Sequence, residues 1–486
     1  MTKIFDALKS FFEIMGLLLL IMAAVVFCCI PMSVKTLPAG LIWNEKEITL
    51  SGGELLELKN KHVSVKQNDG EILFETEKDY YVQDVTTADL DSDGRQDIIF
   101  LLWKKGRYGR SKPFWVSEEE TDLSQHIFIY NIGKDGKMRQ KWCASDIGYE
   151  LGRMKIMEDN PKFLLTEDLE GGCKIWSWQG FGLAEVKSEV EFIAFGDNII
   201  HDAIMEYADA HENGSYDFLY NDVKKEIQQA DIAALQQESL LVGDKAMYGG
   251  YPSFGTPVAV GEAIADAGFD VVSCAGNHAL DRGTKGIDTT LDFYNGAGIT
   301  CVGIQKSSDT SYKPYEIVNK NGISIALFNY TYGTNNGDPR DKYPNMIHFL
   351  PEGQDEEDAF VEELKSCRDE ADISIVFVHW GNEYETEPNE YQRHMAELMA
   401  QGGVDAVIGT HPHVVQSLET VQRPDGGVMN VFYSLGNFRA DQGQRAETRT
   451  GAEAVLTISH SFDGAKITGC EIKEVEAYWK GLVEDD

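Results

Sequence analysis

The sequence predicts a mixed α/β domain over residues 189–486, preceded by a transmembrane helix and a small β-rich domain. Two observations predict the α/β part. Apolar runs typical of buried strands alternate there with segments of helical character. Five of these runs end in a carboxylate, an amide or an imidazole, and parallel strands bring their carboxyl ends to a common edge of a sheet. We therefore expect the polar residues at these five strand ends to meet in one site.

The composition bounds the domain count and the partners. A chain of 486 residues, 43% of them hydrophobic, exceeds what one compact core usually holds, so two domains are expected besides the membrane segment. A formal net charge of −37 opposes a broad electrostatic contact with nucleic acid, which is excluded as a partner. The eight cysteines include no CxxC pair, so neither a zinc ribbon nor a dense disulfide framework is predicted.

The N-terminal residues predict a membrane anchor. Residues 14–32 carry no charge and are numerous enough to cross a hydrocarbon core as a helix. Lys3 and Lys9 precede this stretch, and a positive flank stays on the cytoplasmic side. We therefore expect a cytoplasmic segment over residues 1–13, a transmembrane helix over residues 14–34, and the bulk of the chain outside the cytoplasm.

Residues 36–188 are rich in short strand-like runs separated by turn signals, and they predict the β-rich domain. Within them lies an acidic loop, ADLDSDGRQDIIFLLW (88–103), whose aspartates are spaced as in calcium loops. It resembles the calcium loops of integrin-like (FG-GAP) propeller repeats, in a single clear copy. The loop lacks the glutamate of an EF-hand, and Gly94 supplies its sharp turn. We expect a structural calcium ion there, the alternative being a solvated acidic turn. The predicted calcium ligands are Asp89, Asp91, Asp93 and Asp97.

The stretch at residues 269–283, FDVVSCAGNHALDRG, contains the densest group of polar residues. Its apolar run breaks at Gly276 and is followed by a polar turn and a helix-like segment. The other four runs lead into further carboxylates and imidazoles. Aspartate, glutamate, asparagine and histidine together are the ligands of borderline and hard divalent ions, so the sequence predicts a site for one or two ions of manganese, zinc or iron.

Six short motifs in order carry a resemblance to a known family: GDN (196–198), QES (237–239), GNHALDRG (276–283), HWGNEY (379–384), GTHPHV (409–414) and YSLGNF (433–438). The set resembles the CapA family of poly-γ-glutamate capsule biosynthesis proteins, which belongs to the calcineurin-like metallophosphatase superfamily. The resemblance covers about residues 190–440. It implies a metallophosphatase-like four-layer α/β/β/α sandwich with a metal centre on its rim.

The resemblance also implies a role for each polar residue. Glu238 would bridge two ions and His278 would assist the leaving group, with Asp281 orienting its imidazole. The remaining ligands would be Asn277, His379 and His411 for one ion and Asp197 and His413 for the other. Residues expected to contact substrate are Arg282, Glu383, Tyr384 and Asn437.

Two departures from the superfamily pattern bear on the number of ions. A typical phosphatase has Asp-x-His at the first motif, but Asn198 and Ile199 follow Asp197 here. Glu238 stands where most phosphatases have an aspartate. The ion held by Asp197 and His413 is therefore short of ligands, and the sequence leaves open whether one or two ions bind.

The expected function is a membrane-anchored, extracytoplasmic role in the biosynthesis of capsule, poly-γ-glutamate or another cell-envelope polymer. The metal centre would act as a phosphoesterase-type hydrolase. Two alternatives remain open: a non-hydrolytic metal-binding scaffold for polymer export or attachment, and a binding protein whose β-rich domain docks to cell wall or to a partner. The expected partners are the membrane and the envelope polymer or its synthesis machinery.

Overall fold

The structure, a computed structural model, describes residues 37–117, 120–157 and 161–483. The chain divides into two compact units, one ending at Ala184 and the other beginning at Glu185, with Cys173–Ile175 counted in the second. The predicted cytoplasmic segment and the transmembrane helix, residues 14–34, lie outside the described residues. Within the described ranges, no helix is long and apolar enough to span a membrane.

Three four-stranded sheets make up the described chain before the α/β unit. Their strand orders are β1-β2-β3-β4, β5-β6-β7-β8 and β12-β11-β10-β9. The strands are β1 (Lys46–Thr49), β2 (Leu55–Lys59), β3 (His62–Lys66), β4 (Ile72–Glu75), β5 (Tyr81–Ala88), β6 (Asp97–Lys105), β7 (Leu123–Ile132), β8 (Met138–Cys143), β9 (Leu151–Ile156), β10 (Phe163–Asp168), β11 (Cys173–Trp178) and β12 (Leu183–Val186).

The central strand β6 explains why this unit is stable. Successive side chains of a strand point to opposite faces. In β6, Phe100 and Leu102 join one apolar cluster, while Ile99 and Leu101 join another on the opposite face. Because both faces are covered, the strand is an uninterrupted apolar run rather than an alternating one.

The predicted calcium loop precedes β6, and donor oxygens of Asp89, Asp91 and Asp97 lie there within 4.8 Å of one another, beside a side-chain cation. The ammonium of Lys141, on β8, lies 2.8 Å from Asp91 Oδ1 and 2.8 Å from both carboxylate oxygens of Asp97. Asp93 is paired with Arg95 instead of facing the cluster. Asp89 accepts hydrogen bonds from backbone N–H groups of its own turn. The fold therefore supplies an ammonium to Asp91 and Asp97, two of the four carboxylates that the sequence assigns to calcium.

The second unit has the α/β class that the sequence predicts. A seven-stranded sheet has the order β18-β17-β14-β13-β26-β27, with β25 also paired to β13, and a six-stranded sheet has the order β19-β20-β21-β22-β24-β23. The strands are β13 (Glu189–Asn198), β14 (Ile232–Gln237), β15 (Leu241–Val242), β16 (Thr256–Pro257), β17 (Val271–Ser273), β18 (Thr300–Val302), β19 (Glu316–Lys320), β20 (Ile323–Thr331), β21 (Ile373–His379), β22 (Ala406–Thr410), β23 (Leu418–Gln422), β24 (Val428–Phe432), β25 (Asn437–Arg439), β26 (Thr450–Ser461) and β27 (Gly464–Glu476).

Six described helices accompany these sheets. Gly268, Gly298 and Gly403 end three of them in the left-handed conformation that favours glycine. The helices are α1 (Asp202–His211), α2 (Lys224–Gln229), α3 (Val258–Ala267), α4 (Gly283–Ala297), α5 (Gln354–Lys365) and α6 (Glu390–Gly402).

Apolar side chains from both sheets share one core. Phe192 of β13 and Phe377 of β21 contact each other there, with ring centroids 6.4 Å apart. A second core lies between the seven-stranded sheet and α1 to α4, and a third between the six-stranded sheet and α5 and α6. The parallel strands β13, β14 and β17 and the parallel strands β21 and β22 therefore end near one another, which positions the site.

Candidate metal centre

The ends of parallel strands position the polar residues of the site. Asp197 is the second-last residue of β13, and His379 is the last residue of β21. Glu238 and His411 directly follow β14 and β22, and Asn277 lies on the loop after β17. All five side chains are buried. The apolar strands thus carry polar groups to one place and withdraw them from water.

The donor atoms form two groups that share one carboxylate. Glu238, His379 and His411 form one group, and Asp197, Glu238 and His413 form the other. Within each group the donor atoms lie within 4.8 Å of one another. Glu238 is common to both groups, which is the position that the resemblance assigns to a bridging ligand.

The hydrogen bonding of the two carboxylates fits a cation. Neither oxygen of Glu238 accepts a hydrogen bond, and Oδ1 of Asp197 accepts none either. Buried carboxylate oxygens without donors carry a large desolvation penalty. Divalent ions compensate such oxygens directly, so the residues present fit a metal centre.

The group of Glu238, His379 and His411 also includes Asn277. Its Oδ1 lies 3.0 Å from Nε2 of His379, and Nδ1 of His411 lies 3.1 Å from that same nitrogen. Burial and the neighbouring imidazoles lower the pKa of His411 to about 3 and that of His379 well below its ordinary value. Both imidazoles are therefore neutral and offer lone pairs, as metal binding requires.

The other group contains opposite charges. Burial and the nearby charge of Asp197 raise the pKa of Glu238. Burial disfavours the charged form of His413, but the carboxylates of Glu238 and Asp197 outweigh it and raise the pKa of His413. Its Nδ1 lies 3.4 Å from Asp197 Oδ2 and 3.9 Å from Glu238 Oε2. A bound cation would replace this proton and reverse both effects.

Three residues of the site have left-handed backbone conformations that non-glycine residues rarely adopt. The φ angles are 97° at His411, 59° at His413 and 66° at Tyr384. Hydrogen bonds hold the strained turns, from His411 N–H to Asp197 Oδ2 at 3.0 Å and from Tyr384 N–H to Pro412 O at 2.7 Å. Such strain persists where surrounding contacts impose it, and it is common at functional sites.

His278 and Asp281 lie beside the donor groups and contact each other. His278 Nδ1 is 2.7 Å from Asp281 Oδ2, and that oxygen also accepts the N–H of Phe254. Burial opposes protonation of His278, but the hydrogen bond to Asp281 and the charge of Glu238 raise its pKa overall. Asp281 therefore holds His278 through Nδ1, and Nε2 is the ring nitrogen that Asp281 does not engage.

The four residues expected to contact substrate differ in their placement. Arg282 donates to the carbonyl of Ser253 at 2.7 Å, so its contact is with a neighbouring loop. Glu383 is exposed on the rim, and the ring of Tyr384 lies 6.1 Å from that of His413. Asn437 is fully buried, with Oδ1 only 2.9 Å from His413 Nδ1.

The sequence did not predict two neighbours of the site, one aromatic and one cationic. The ring of Tyr332 lies 4.8 Å from that of His411, and the guanidinium of Arg445 stacks 4.2 Å over the ring of Tyr384. Tyr332 directly follows β20, so the rule that polar residues follow apolar strands could have found it. Arg445 lies in a loop with no such local signal.

The departure at the first motif is visible in the structure. Asn198 is hydrogen bonded to Gln237 and Tyr220 rather than to the donor groups. His201 Nδ1 contacts the backbone of Ile199 and Asp441. Neither side chain takes the place of the missing histidine.

The α/β unit is similar to proteins of capsule synthesis. The family model described as "Bacterial capsule synthesis protein PGA_cap" matches residues 191–442. The PGA biosynthesis protein CapA of Bacillus subtilis (strain 168) is 34% identical over 217 residues, which are 44% of this chain and 53% of that protein. The capsule biosynthesis protein CapA of Bacillus anthracis is 32% identical over 212 residues, 42% of this chain and 48% of that protein. The chain thus spans about half the length of these two relatives.

Solved structures give weaker similarities. A phosphatase from Mycoplasma pneumoniae matches with a TM-score of 0.37 and 15% identity, over 62% of this chain and 98% of that one. The calcineurin-like phosphoesterase YfkN from Bacillus subtilis matches with a TM-score of 0.36 and 14% identity, over 60% of this chain and 91% of that one. The family match, which extends over more than half of the sequence, identifies this chain as a member of the bacterial capsule synthesis protein (PGA_cap) family.

Proposed function

We propose that this protein is a divalent-metal-dependent hydrolase of the phosphoesterase type that acts in the biosynthesis of capsule, poly-γ-glutamate or a related envelope polymer. The observation that carries the proposal is the position of Glu238, which belongs to both groups of potential metal ligands. Its two carboxylate oxygens are buried and accept no hydrogen bond. The family membership and the names of the Bacillus relatives support the polymer. A four-layer α/β/β/α sandwich is part of the proposal, and the three cores of the α/β unit support it.

The side chains of the site have separable tasks. Bound divalent ions would supply Lewis acidity and an activated water for attack on a phosphoryl group. His278 would give a proton from Nε2 to the leaving oxygen, because Asp281 holds its Nδ1. Tyr332 and Tyr384 flank the two donor groups and would orient a substrate between their rings. Burial of the donor side chains keeps bulk water from them.

We place the α/β unit outside the cytoplasm, attached by the predicted transmembrane helix. The uncharged stretch at residues 14–32 and its positive flank support this location. An enzyme of capsule assembly needs access to polymer at the cell surface, which such an anchor provides. Accessibility of the intact chain to protease added to protoplasts tests the orientation, because a cytoplasmic α/β unit would be protected.

Hydrolysis is tested with the purified full chain in detergent, loaded with Mn²⁺ or Zn²⁺, on bis(p-nitrophenyl) phosphate. We expect turnover that falls at least about 100-fold in Glu238→Gln and in His278→Ala, with bound metal retained in the latter. Turnover that survives both changes would refute the hydrolase.

A non-hydrolytic role in polymer export or attachment is the second candidate. The missing first-motif histidine favours it, since Asn198 and His201 bond elsewhere and leave one donor group poorer than the superfamily pattern. Stoichiometric metal without turnover on phosphomonoesters, phosphodiesters or the polymer would support this role.

A further inference from the structure

The donor group around Asp197 has a neighbour that neither the family match nor the motif pattern assigns to it. Asn437 is completely buried, and its Oδ1 lies 2.9 Å from Nδ1 of His413. That nitrogen is the same atom that faces the carboxylates of Asp197 and Glu238. An amide oxygen therefore lies at the edge of the donor group that lacks the first-motif histidine.

The orientation of the Asn437 amide is fixed by its other atom. Nδ2 donates to Oε1 of Gln442 at 3.0 Å and to the carbonyl of Thr448 at 3.2 Å. Both N–H bonds are thus used, and rotating the amide would set its oxygen against two other acceptors. Oδ1 consequently points at His413 as an acceptor, which is the polarity that a cation needs.

The backbone holds Asn437 beside Asp197. Strand β25 runs parallel to β13 with Asn437 paired to Asp197, and the N–H of Asp197 donates to Gly436 O at 2.9 Å. A Cβ at Gly196 would collide with that same carbonyl oxygen, so the glycine of the GDN motif permits this close approach. The two ligand-bearing strands are therefore fitted to each other at this point.

The close contact between Asn437 Oδ1 and His413 Nδ1 can be stabilised in two ways, by a proton or by a metal ion between the two atoms. A proton on Nδ1 joins the two atoms in the metal-free protein. When His413 binds a metal through Nδ1 that proton is lost, and two lone pairs 2.9 Å apart would repel each other unless they share the cation. Neighbouring ligands of an ion with bonds of about 2.1 Å are roughly 3 Å apart, so the observed spacing suits a shared ion.

We propose that Asn437 is a protein ligand of the ion held by Asp197, Glu238 and His413, and that its amide oxygen takes the place of the first-motif histidine. The inference rests on the metal centre of the proposed function. It makes this position richer in oxygen than the one with His379 and His411, and oxygen-rich sites favour harder ions such as Mn²⁺. Replacing Asn437 by alanine should therefore weaken the binding of Mn²⁺ more than the binding of Zn²⁺.

The test measures metal binding and coordination rather than turnover. Full chains of wild type, Asn437→Ala, Asn437→Asp and Gln442→Ala are stripped of metal and titrated with Mn²⁺, with bound ions counted by elemental analysis and free Mn²⁺ by its EPR signal. We expect two ions in wild type and one tight ion in Asn437→Ala, whose second Mn²⁺ binds at least about tenfold more weakly. Asn437→Asp, which keeps an oxygen donor, and Gln442→Ala, which keeps Oδ1, retain two.

Cobalt adds a reading of coordination. Loss of a ligand in Asn437→Ala changes the visible absorption of the second Co²⁺, whereas a residue that only positions His413 alters occupancy without changing that spectrum at saturation. Two Mn²⁺ ions of wild-type affinity in Asn437→Ala, or loss of the second ion from both Asn437→Ala and Asn437→Asp, would overturn the ligand role. Wild-type protein without any bound ion would refute the proposed function, and wild-type protein with one ion would refute the present inference alone.

Discussion

Asp197 and Glu238 bring their carboxylates together at the buried ends of neighbouring strands, and three of their four oxygens accept no hydrogen bond. The exception is Asp197 Oδ2, which accepts the N–H of His411. In metal-free protein, burial and the charge of Asp197 raise the pKa of Glu238, so holding these two carboxyl groups together costs stability. A cation is the simplest group that removes both penalties.

Replacing Glu238 by glutamine should therefore separate stability from metal binding. We expect Glu238→Gln to raise the free energy of unfolding of metal-free protein at neutral pH by about 1–4 kcal/mol, because glutamine does not carry the cost of burial and of the charge of Asp197 that raises the pKa of Glu238. The same change should abolish the stabilisation that Mn²⁺ gives to wild type. Thermal unfolding with chelator and with Mn²⁺ measures both effects.

The control is Glu383→Gln, which removes an exposed carboxylate from the same rim and should leave both quantities nearly unchanged. A metal-free Glu238→Gln less stable than wild type would contradict the explanation.

Asp281 should control the protonation of His278. Its hydrogen bond and the charge of Glu238 raise the pKa of His278, and Asp281→Asn removes the negative partner. A proton donor works only below its pKa, so the alkaline limb of the rate profile should move to lower pH in Asp281→Asn. We expect the rate at pH 8 to fall roughly 10- to 100-fold while metal content stays constant. Asn336→Ala removes a hydrogen bond to the other oxygen of Asp281 and should leave the limb in place; an unmoved limb in Asp281→Asn would rule out this coupling.

Much of the metal centre follows from a rule that is local in sequence. Asp197, Glu238, His379 and His411 each stand at or just after the end of an apolar strand. Parallel strands share an edge, so residues that are more than 200 positions apart in the chain can be expected together. The rule works because the apolar runs and the polar residues that end them are both visible in the sequence, and helices between the runs favour parallel strands.

Contacts made through side-chain reach are not readable in this way. Asn437 contacts His413 because β25 pairs with β13. A strand of three residues is too short for its sequence to predict that pairing. Lys141 reaches Asp91 and Asp97 from a different strand, so the regular acidic spacing predicts a calcium loop while the fold supplies an ammonium. Long side chains and short strands carry little sequence period, and their partners depend on the tertiary structure.

Lys141 should act as the fixed cation of the acidic loop. Asp97 is fully buried, and removing its partner leaves an unpaired buried carboxylate. We expect Lys141→Met to lower the stability of the β-rich unit by about 3–5 kcal/mol, and chelators of calcium to leave wild-type unfolding unchanged. Hydrogen exchange of peptides from β6 and β8 measures the local stability.

The control Arg95→Ala removes the ion pair with Asp93 at the surface and should have no measurable effect. If calcium stabilises the wild-type β-rich unit, an ion displaces Lys141.

Acid should destabilise the α/β unit partly through His348, which lies outside the metal centre. The side chain is 3% exposed, Nδ1 has no hydrogen-bond partner, and burial lowers the pKa of His348 to about 3. An unfolded histidine titrates near 6.5. Below that pH the unfolded chain binds a proton that the native chain does not, so stability is complete above about pH 6.5 and is lost as pH falls towards 3. Between pH 6.5 and 4.5 this one residue should cost about 2–3 kcal/mol of stability.

The pKa values of His379 and His411 are lowered too, so both residues also destabilise the native state in acid. The contribution of His348 is therefore taken as the difference between wild type and His348→Gln. We expect urea unfolding of metal-free His348→Gln to depend less steeply on pH by that amount, whereas His394→Gln, at an exposed site paired with Glu357, should keep the wild-type acid slope. An unchanged slope in His348→Gln would mean that His348 takes up its proton in the native state.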